Sequence, residues 1–226
     1  MSYPTIDKPY GLQPVNLIGG QVFAGATRLI PITTSAVSYN TAIYYGDVVK
    51  LVNTGTIEVE TGTATVSNQG VVGIFLGCTF TNPTTKQKTF SQYWPGYASG
   101  VTDAQAYVAD DPDVLFKVAA VSGTTVVAFY GQTVIGTNVE LVQNNGSATT
   151  GNSAVAINGG TAAATASLPI RIIAGVPDTA NSSGQFCEFI CKFNAPYLAS
   201  TYSAGPPVTV TTAMRGGHMY LNSSGI

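Results

Sequence analysis

The densest group of ionisable side chains is Asp110, Asp111 and Asp113, interrupted by Pro112. Hard cations such as Ca²⁺ take several carboxylate and carbonyl oxygens, which makes this run a weak candidate for a cation site. Its spacing misses the D-x-[DN]-x-[DN]-G loop, and no Glu follows at the right distance. A turn beginning at Asp111, with Pro112 at the favoured second position, accounts for the same residues without a metal. A glycosidase pair fits poorly, because sequence neighbours rarely face one substrate from opposite sides. The single histidine, His218, lies in Arg215-Gly216-Gly217-His218-Met219. A His-rich metal site is therefore excluded, and a Ser–His or Cys–His nucleophile would rest on that one residue. No G-x-x-x-x-G-K-[ST] phosphate loop occurs, and Gly19-Gly20 reads as a turn. The expectation is a chain with no catalytic residue, no cofactor and no metal.

Three cysteines, Cys78, Cys187 and Cys191, form no even framework and no C-x-x-C pair. In a regular strand Cys187 and Cys191 share a face roughly 13 Å apart, at about 3.3 Å per residue. A disulfide needs Cα atoms within about 7 Å, so the expectation is three reduced, buried, small apolar side chains.

The elements that would carry these residues are strands. Val48–Val52, Val71–Leu76, Val114–Val118, Thr125–Tyr130, Ile170–Ile173 and Phe186–Phe193 are short runs rich in β-branched or aromatic residues. In the last run Phe186, Glu188, Ile190 and Lys192 project to one side, and Cys187, Phe189, Cys191 and Phe193 to the other. Asn53–Thr56 and Val121–Thr124 are hairpin turns. Thr102–Tyr107 is the best helix candidate, one turn capped by Thr102 or Asp103. Gln143–Ala166 reads as long loops around a small-residue strand, Ala154–Ile157. The fold class expected is all-β, a sandwich or barrel-like antiparallel body over residues 21–199 with room for two subdomains. Pro4, Pro9 and Pro14 favour an extended N-terminal arm over residues 1–20. Residues 200–226 read as an extended tail with one strand-like piece at Val208–Thr212. Deleting residues 1–18 or 201–226 is expected to leave a folded monomer.

Composition narrows the function. Of 226 residues only 9% are charged, with 9 basic and 11 acidic side chains, whereas 45% are hydrophobic. Soluble domains average about 25% charged. A nucleic-acid binder needs a basic patch to neutralise phosphates, and none is present. No apolar stretch approaches the length of a membrane span, and no basic segment followed by an apolar run opens the chain. The 29 threonines favour β-structure. Phe90, Tyr93, Trp94 and Tyr97, around Pro95-Gly96, fit core packing, a protein interface or a glycan platform. As interface residues the candidates are Tyr93, Trp94 and Tyr97, with Tyr10 and Leu12 from the N-terminal arm and Val208 and Val210 from the tail.

Several of these runs resemble a group of tailed-phage virion structural proteins associated with capsid decoration, or cement, proteins. The resemblance is carried by Asp7-Lys8-Pro9-Tyr10-Gly11-Leu12-Gln13-Pro14-Val15, by Tyr45-Gly46-Asp47-Val48-Val49-Lys50-Leu51 and by Gly73-Ile74-Phe75-Leu76-Gly77-Cys78-Thr79-Phe80-Thr81-Asn82-Pro83. It continues through Lys88–Pro95 and Ala106–Phe116, with a looser match to about residue 195. The resemblance implies a protein made in the host cytoplasm that sits on the outer surface of the head. Its partner there would be the major capsid protein, and the same analogy implies a homotrimer. No active residues come with it. The rival expectation is a head-fibre or tail adhesin that contacts a host glycan or receptor. A major capsid protein fits less well, for want of a readable spine helix.

Overall fold

The computed structural model describes residues 6–34, 39–64, 71–96, 100–123, 126, 130–179 and 185–194, and the backbone of 197–198 and 214–215. In chain order the strands are β1 (Gln13–Leu17), β2 (Arg28–Pro31), β3 (Val48–Leu51), β4 (Ile57–Val59), β5 (Gly73–Thr81), β6 (Lys88–Ser91) and β7 (Gln105–Ala109). They continue as β8 (Val114–Val121), β9 (Asn138–Val142), β10 (Ala156–Ala163), β11 (Ile170–Gly175), β12 (Cys187–Phe193), β13 (Tyr197–Leu198) and β14 (Met214–Arg215). One 3-10 turn, Gln132–Val134, is the helical element among the described residues. The all-β reading holds.

The strands form two small barrels in tandem. In the first, β2, β7, β5, β3 and β4 pair antiparallel in that order. A parallel bridge between Ile32 and Ile57 then returns the ring from β4 to β2. In the second, β8, β12, β11, β9 and β10 pair antiparallel, and β10 returns to β8 in parallel. Numbered one to five within each barrel, with β6 set aside, both rings run 1-5-4-2-3 and both close on a parallel contact between the third strand and the first. The chain thus builds one five-stranded plan twice.

Alternation explains the two interiors. Phe116, Val118, Leu141, Ile172, Phe189 and Phe193 fill the second barrel, with Phe116 edge-on to Phe193 at 5.2 Å. On β12 the inward set is Cys187, Phe189, Cys191 and Phe193, the face that period-two reading predicts. The first interior holds Ile30, Val49, Ile57, Phe75, Trp94 and Val108. A bulge between Phe75 and Gly77 resets the phase of β5, so Cys78 and Phe80 also point inward. Val48, Val71 and Ile74 project the other way, into the cluster of the second barrel.

Several expectations change. The N-terminal segment is no free arm from residue 6 onward. β1 pairs with β8, and its proline lies beside a register shift at the sheet margin, where a missing donor costs least. Leu12 is fully buried, and Gly11 and Leu12 hydrogen-bond to Val155 of the second barrel and Gly46 of the first. Gly11 has φ +85°, and a Cβ there would lie 2.7 Å from Ser153 Cβ, so the segment wedges between the barrels only with glycine. The expected helix at Thr102–Tyr107 is instead the entry to β7: Ala104, Ala106 and Val108 alternate inward, and Asp103 bonds Thr81 rather than capping a turn. The small-residue strand of the 143–166 region runs longer than read, to Ala163. Met214 and Arg215 of the expected tail pair back onto Leu198 and Tyr197. Most of the Thr125–Tyr130 run lies outside the described residues.

Candidate interaction surface

Among the described residues, eight charged side chains form four ion pairs within the chain. Glu188, buried on the outer side of β12, accepts a hydrogen bond from the Tyr10 hydroxyl and pairs with Lys117 at 3.2 Å. The Lys117 ammonium also lies 5.5 Å from the Tyr10 ring centroid. Burial, with the carboxylate next to it, raises the Tyr10 phenol well above its ordinary range. Asp103 accepts from Lys88 at 2.9 Å and from the Thr81 hydroxyl and amide, and these donors hold its carboxyl well below the usual range.

The acidic run does not converge. Asp110 pairs with Arg28 at 2.9 Å, Asp111 Oδ1 accepts the amide of Asp113 at 2.8 Å, and Asp113 faces Lys192 at 3.7 Å. The three carboxylates have three different destinations, which corrects the weak cation-site reading. Among the described residues no three His, Cys, Asp or Glu side chains converge.

Two carboxylates do share a cavity. Asp47 and Glu60 line a space of about 310 Å³ where the barrels meet, together with Tyr44, Gln143 and Asn144. The Tyr44 amide donates to Asp47 at 2.7 Å, and the amides of Thr61 and Gly62 donate to Glu60. Burial pushes Asp47 up to about 6, partly offset by hydrogen bonds from Ser153 and the Tyr44 amide. Cys78, Cys187 and Cys191 are free and buried; burial pushes the Cys78 thiol up to about 12 and raises Cys191 further. The Cys78 and Cys191 thiols are therefore protonated at neutral pH and poor nucleophiles.

The residues expected at an interface fare unevenly. Trp94 is 0% exposed, bridged to Ile43 and edge-on to Phe80 at 5.2 Å, so it is core and not a surface anchor. Leu12 is core for the reason given above. Tyr10 is half-buried on Glu188, and Tyr93 is half-buried and stacked on Tyr44 at 5.6 Å. Tyr97, Val208, Val210 and His218 lie outside the described residues.

The apolar surface lies elsewhere. β6 pairs with only the second half of β5, and its alternation sends Phe90 outward, opposite Thr79. Phe90 is 72% exposed. Leu29 and Tyr107, paired across β2 and β7, share that outer face, and Leu29 is also exposed. Beside Phe90 an open groove of about 530 Å³ runs over Gly77, walled by Tyr45, Leu76, Gln92 and Tyr107. A second apolar pair, Ile18 and Val22, stands exposed on the turn that follows β1 on the other barrel. The alternation Lys88, Phe90 against Thr89, Ser91 was the available sequence signal for Phe90. No protein-family model, no curated protein and no solved structure matches the chain.

Proposed function

We propose that this chain is a virion structural protein that decorates the outer surface of a phage head and bridges neighbouring capsid subunits. The observation that carries the reading is that each barrel exposes apolar side chains, Phe90 and Leu29 on one and Ile18 and Val22 on the other. A bridging subunit needs a contact surface on each of two joined rigid bodies. The neutral composition supports this, because little charged surface must be desolvated when broad faces pack. Threonine-, serine- and asparagine-rich strands satisfy their remaining polar groups through direct or water-mediated hydrogen bonds. Contacts repeated over a lattice act multivalently, so each one can be weak.

The internal commitment of the acidic groups supports a binding role over catalysis. The adhesin alternative loses the tryptophan of its candidate glycan platform, because Trp94 is buried and its truncation would damage the barrel whatever the protein binds. The decoration reading is tested by mixing purified protein with heads that lack it and measuring co-sedimentation. Saturable binding in numbers comparable to the shell protein is expected. Failure to bind heads, with binding to host cells instead, would favour the adhesin.

A further inference from the structure

We infer that the groove on the outer face of the first barrel is a self-association site, where Phe90 of one copy fills the groove of a second copy of this chain. The inference goes beyond the decoration reading and concerns the protein free of the head, where the Phe90 patch that a shell subunit would cover on the head is open to a second copy. Phe90 has no polar tip, yet it stands 72% exposed at the rim of a groove of about 530 Å³. Exposed phenylalanine beside an open aromatic groove is a knob next to a hole. Gly77 keeps the hole open: its φ is +140°, and a Cβ there would sit 3.1 Å from the Ser91 carbonyl oxygen, so side chains are disfavoured at this position.

Because knob and hole belong to one patch, two copies related by a two-fold axis present both features to each other at once. Around such an axis a residue lies near its own counterpart, so an unpaired charge would repel itself. This patch carries no such penalty. The groove walls are uncharged, and the cations on the strands that carry Phe90 and Leu29, Lys88 and Arg28, are each 2.9 Å from a carboxylate, on Asp103 and Asp110. That neutrality selects a second copy over a strongly charged partner. The contact is two-fold, so a three-fold assembly of the kind the family resemblance implies would need a different surface.

The test is sedimentation velocity on the full chain from low to high micromolar concentration, with Phe90→Ser and, as a control on the other barrel, Val126→Ser. Phe90 is already exposed, so its replacement leaves folding intact, and unchanged thermal unfolding checks this. The expected result is a monomer–dimer equilibrium for the wild type and Val126→Ser, little changed by salt. Phe90→Ser removes a buried aromatic from each side and weakens association by at least about a hundredfold. A wild type that stays monomeric, a trimer, or a dimer indifferent to Phe90→Ser would overturn the inference. Since no virion enters the experiment, its outcome is independent of whether the protein binds heads.

Discussion

Replacing Tyr10 with phenylalanine removes one hydroxyl and keeps the ring that packs on the second barrel. That hydroxyl donates to Glu188, a carboxylate only 4% exposed, whose other described partner is the Lys117 ammonium at 3.2 Å. A hydrogen bond to a charged acceptor contributes about 1.5–3 kcal/mol, and the loss leaves part of a buried carboxylate unsatisfied. Lys117 stays in place, so the lower half of that range applies, about 2 kcal/mol. For a chain of this length that corresponds to a fall in Tm of about 4–8 °C. In urea the midpoint should drop with an unchanged m-value, since the surface exposed on unfolding is the same. Deleting residues 1–12 should cost more, because it also takes Leu12 out of the barrel junction, and burial of a leucine alone is worth about 2–5 kcal/mol. If Tyr10→Phe changes stability by less than about 0.5 kcal/mol, and the deletion leaves the midpoint unmoved, the N-terminal segment is a detachable arm and the packing argument fails.

Asp47 gives a pH signature. Its carboxyl is pushed up to about 6 from an ordinary 3.8, so the folded chain holds that proton longer than the unfolded one. Stability from this group is therefore greatest below about pH 4 and falls by about 3 kcal/mol as pH rises to about 6. Asp47→Asn should flatten that window in urea midpoints taken across it, and an unchanged slope would contradict the assignment. Trp94→Ala should lose about 3–5 kcal/mol by emptying the first barrel, measured by chemical unfolding. A loss under about 1 kcal/mol would mean the side chain is not core. Gly73→Ala should prevent soluble expression, since its Cβ would fall 2.0 Å from the Ala109 carbonyl oxygen across β5 and β7; normal yield would refute that pairing.

Local chemistry was legible and long-range closure was not. The β-branched runs at 48–52, 71–76, 114–118, 170–173 and 186–193 announce strands because each carries its own period and turn residues, as at Gly55 with φ +76°. Thr102–Tyr107 misleads because alanines suit a helix and a strand alike, and Asp103 resembles a cap until Thr81 and Lys88 are brought to it. Trp94 beside Pro95-Gly96 fits core packing, an interface or a glycan platform, and its sequence neighbours do not decide among them. Its burial depends on Ile43, some fifty residues earlier in the chain. Pro14 fits the extended backbone of β1, but only the pairing of β1 with β8 decides what that strand lies against. The repeated five-strand plan leaves a short trace at the second strand of each barrel, where Gly46, Val49, Leu51 and Val52 match Gly136, Val139, Leu141 and Val142 in type and spacing and both glycines have positive φ. Closure itself resides in strand order, and the parallel contacts joining Ile32 to Ile57 and Ile157 to Ala120 are non-local.

The decoration reading is tested most directly by a cryo-electron microscopy reconstruction of the virion that contains this chain. The account predicts density for two joined five-stranded barrels on the exterior of the head, touching more than one capsid subunit and present in numbers comparable to the shell protein. Density confined to the tail or to a fibre, or absence of the chain from purified particles, would contradict it.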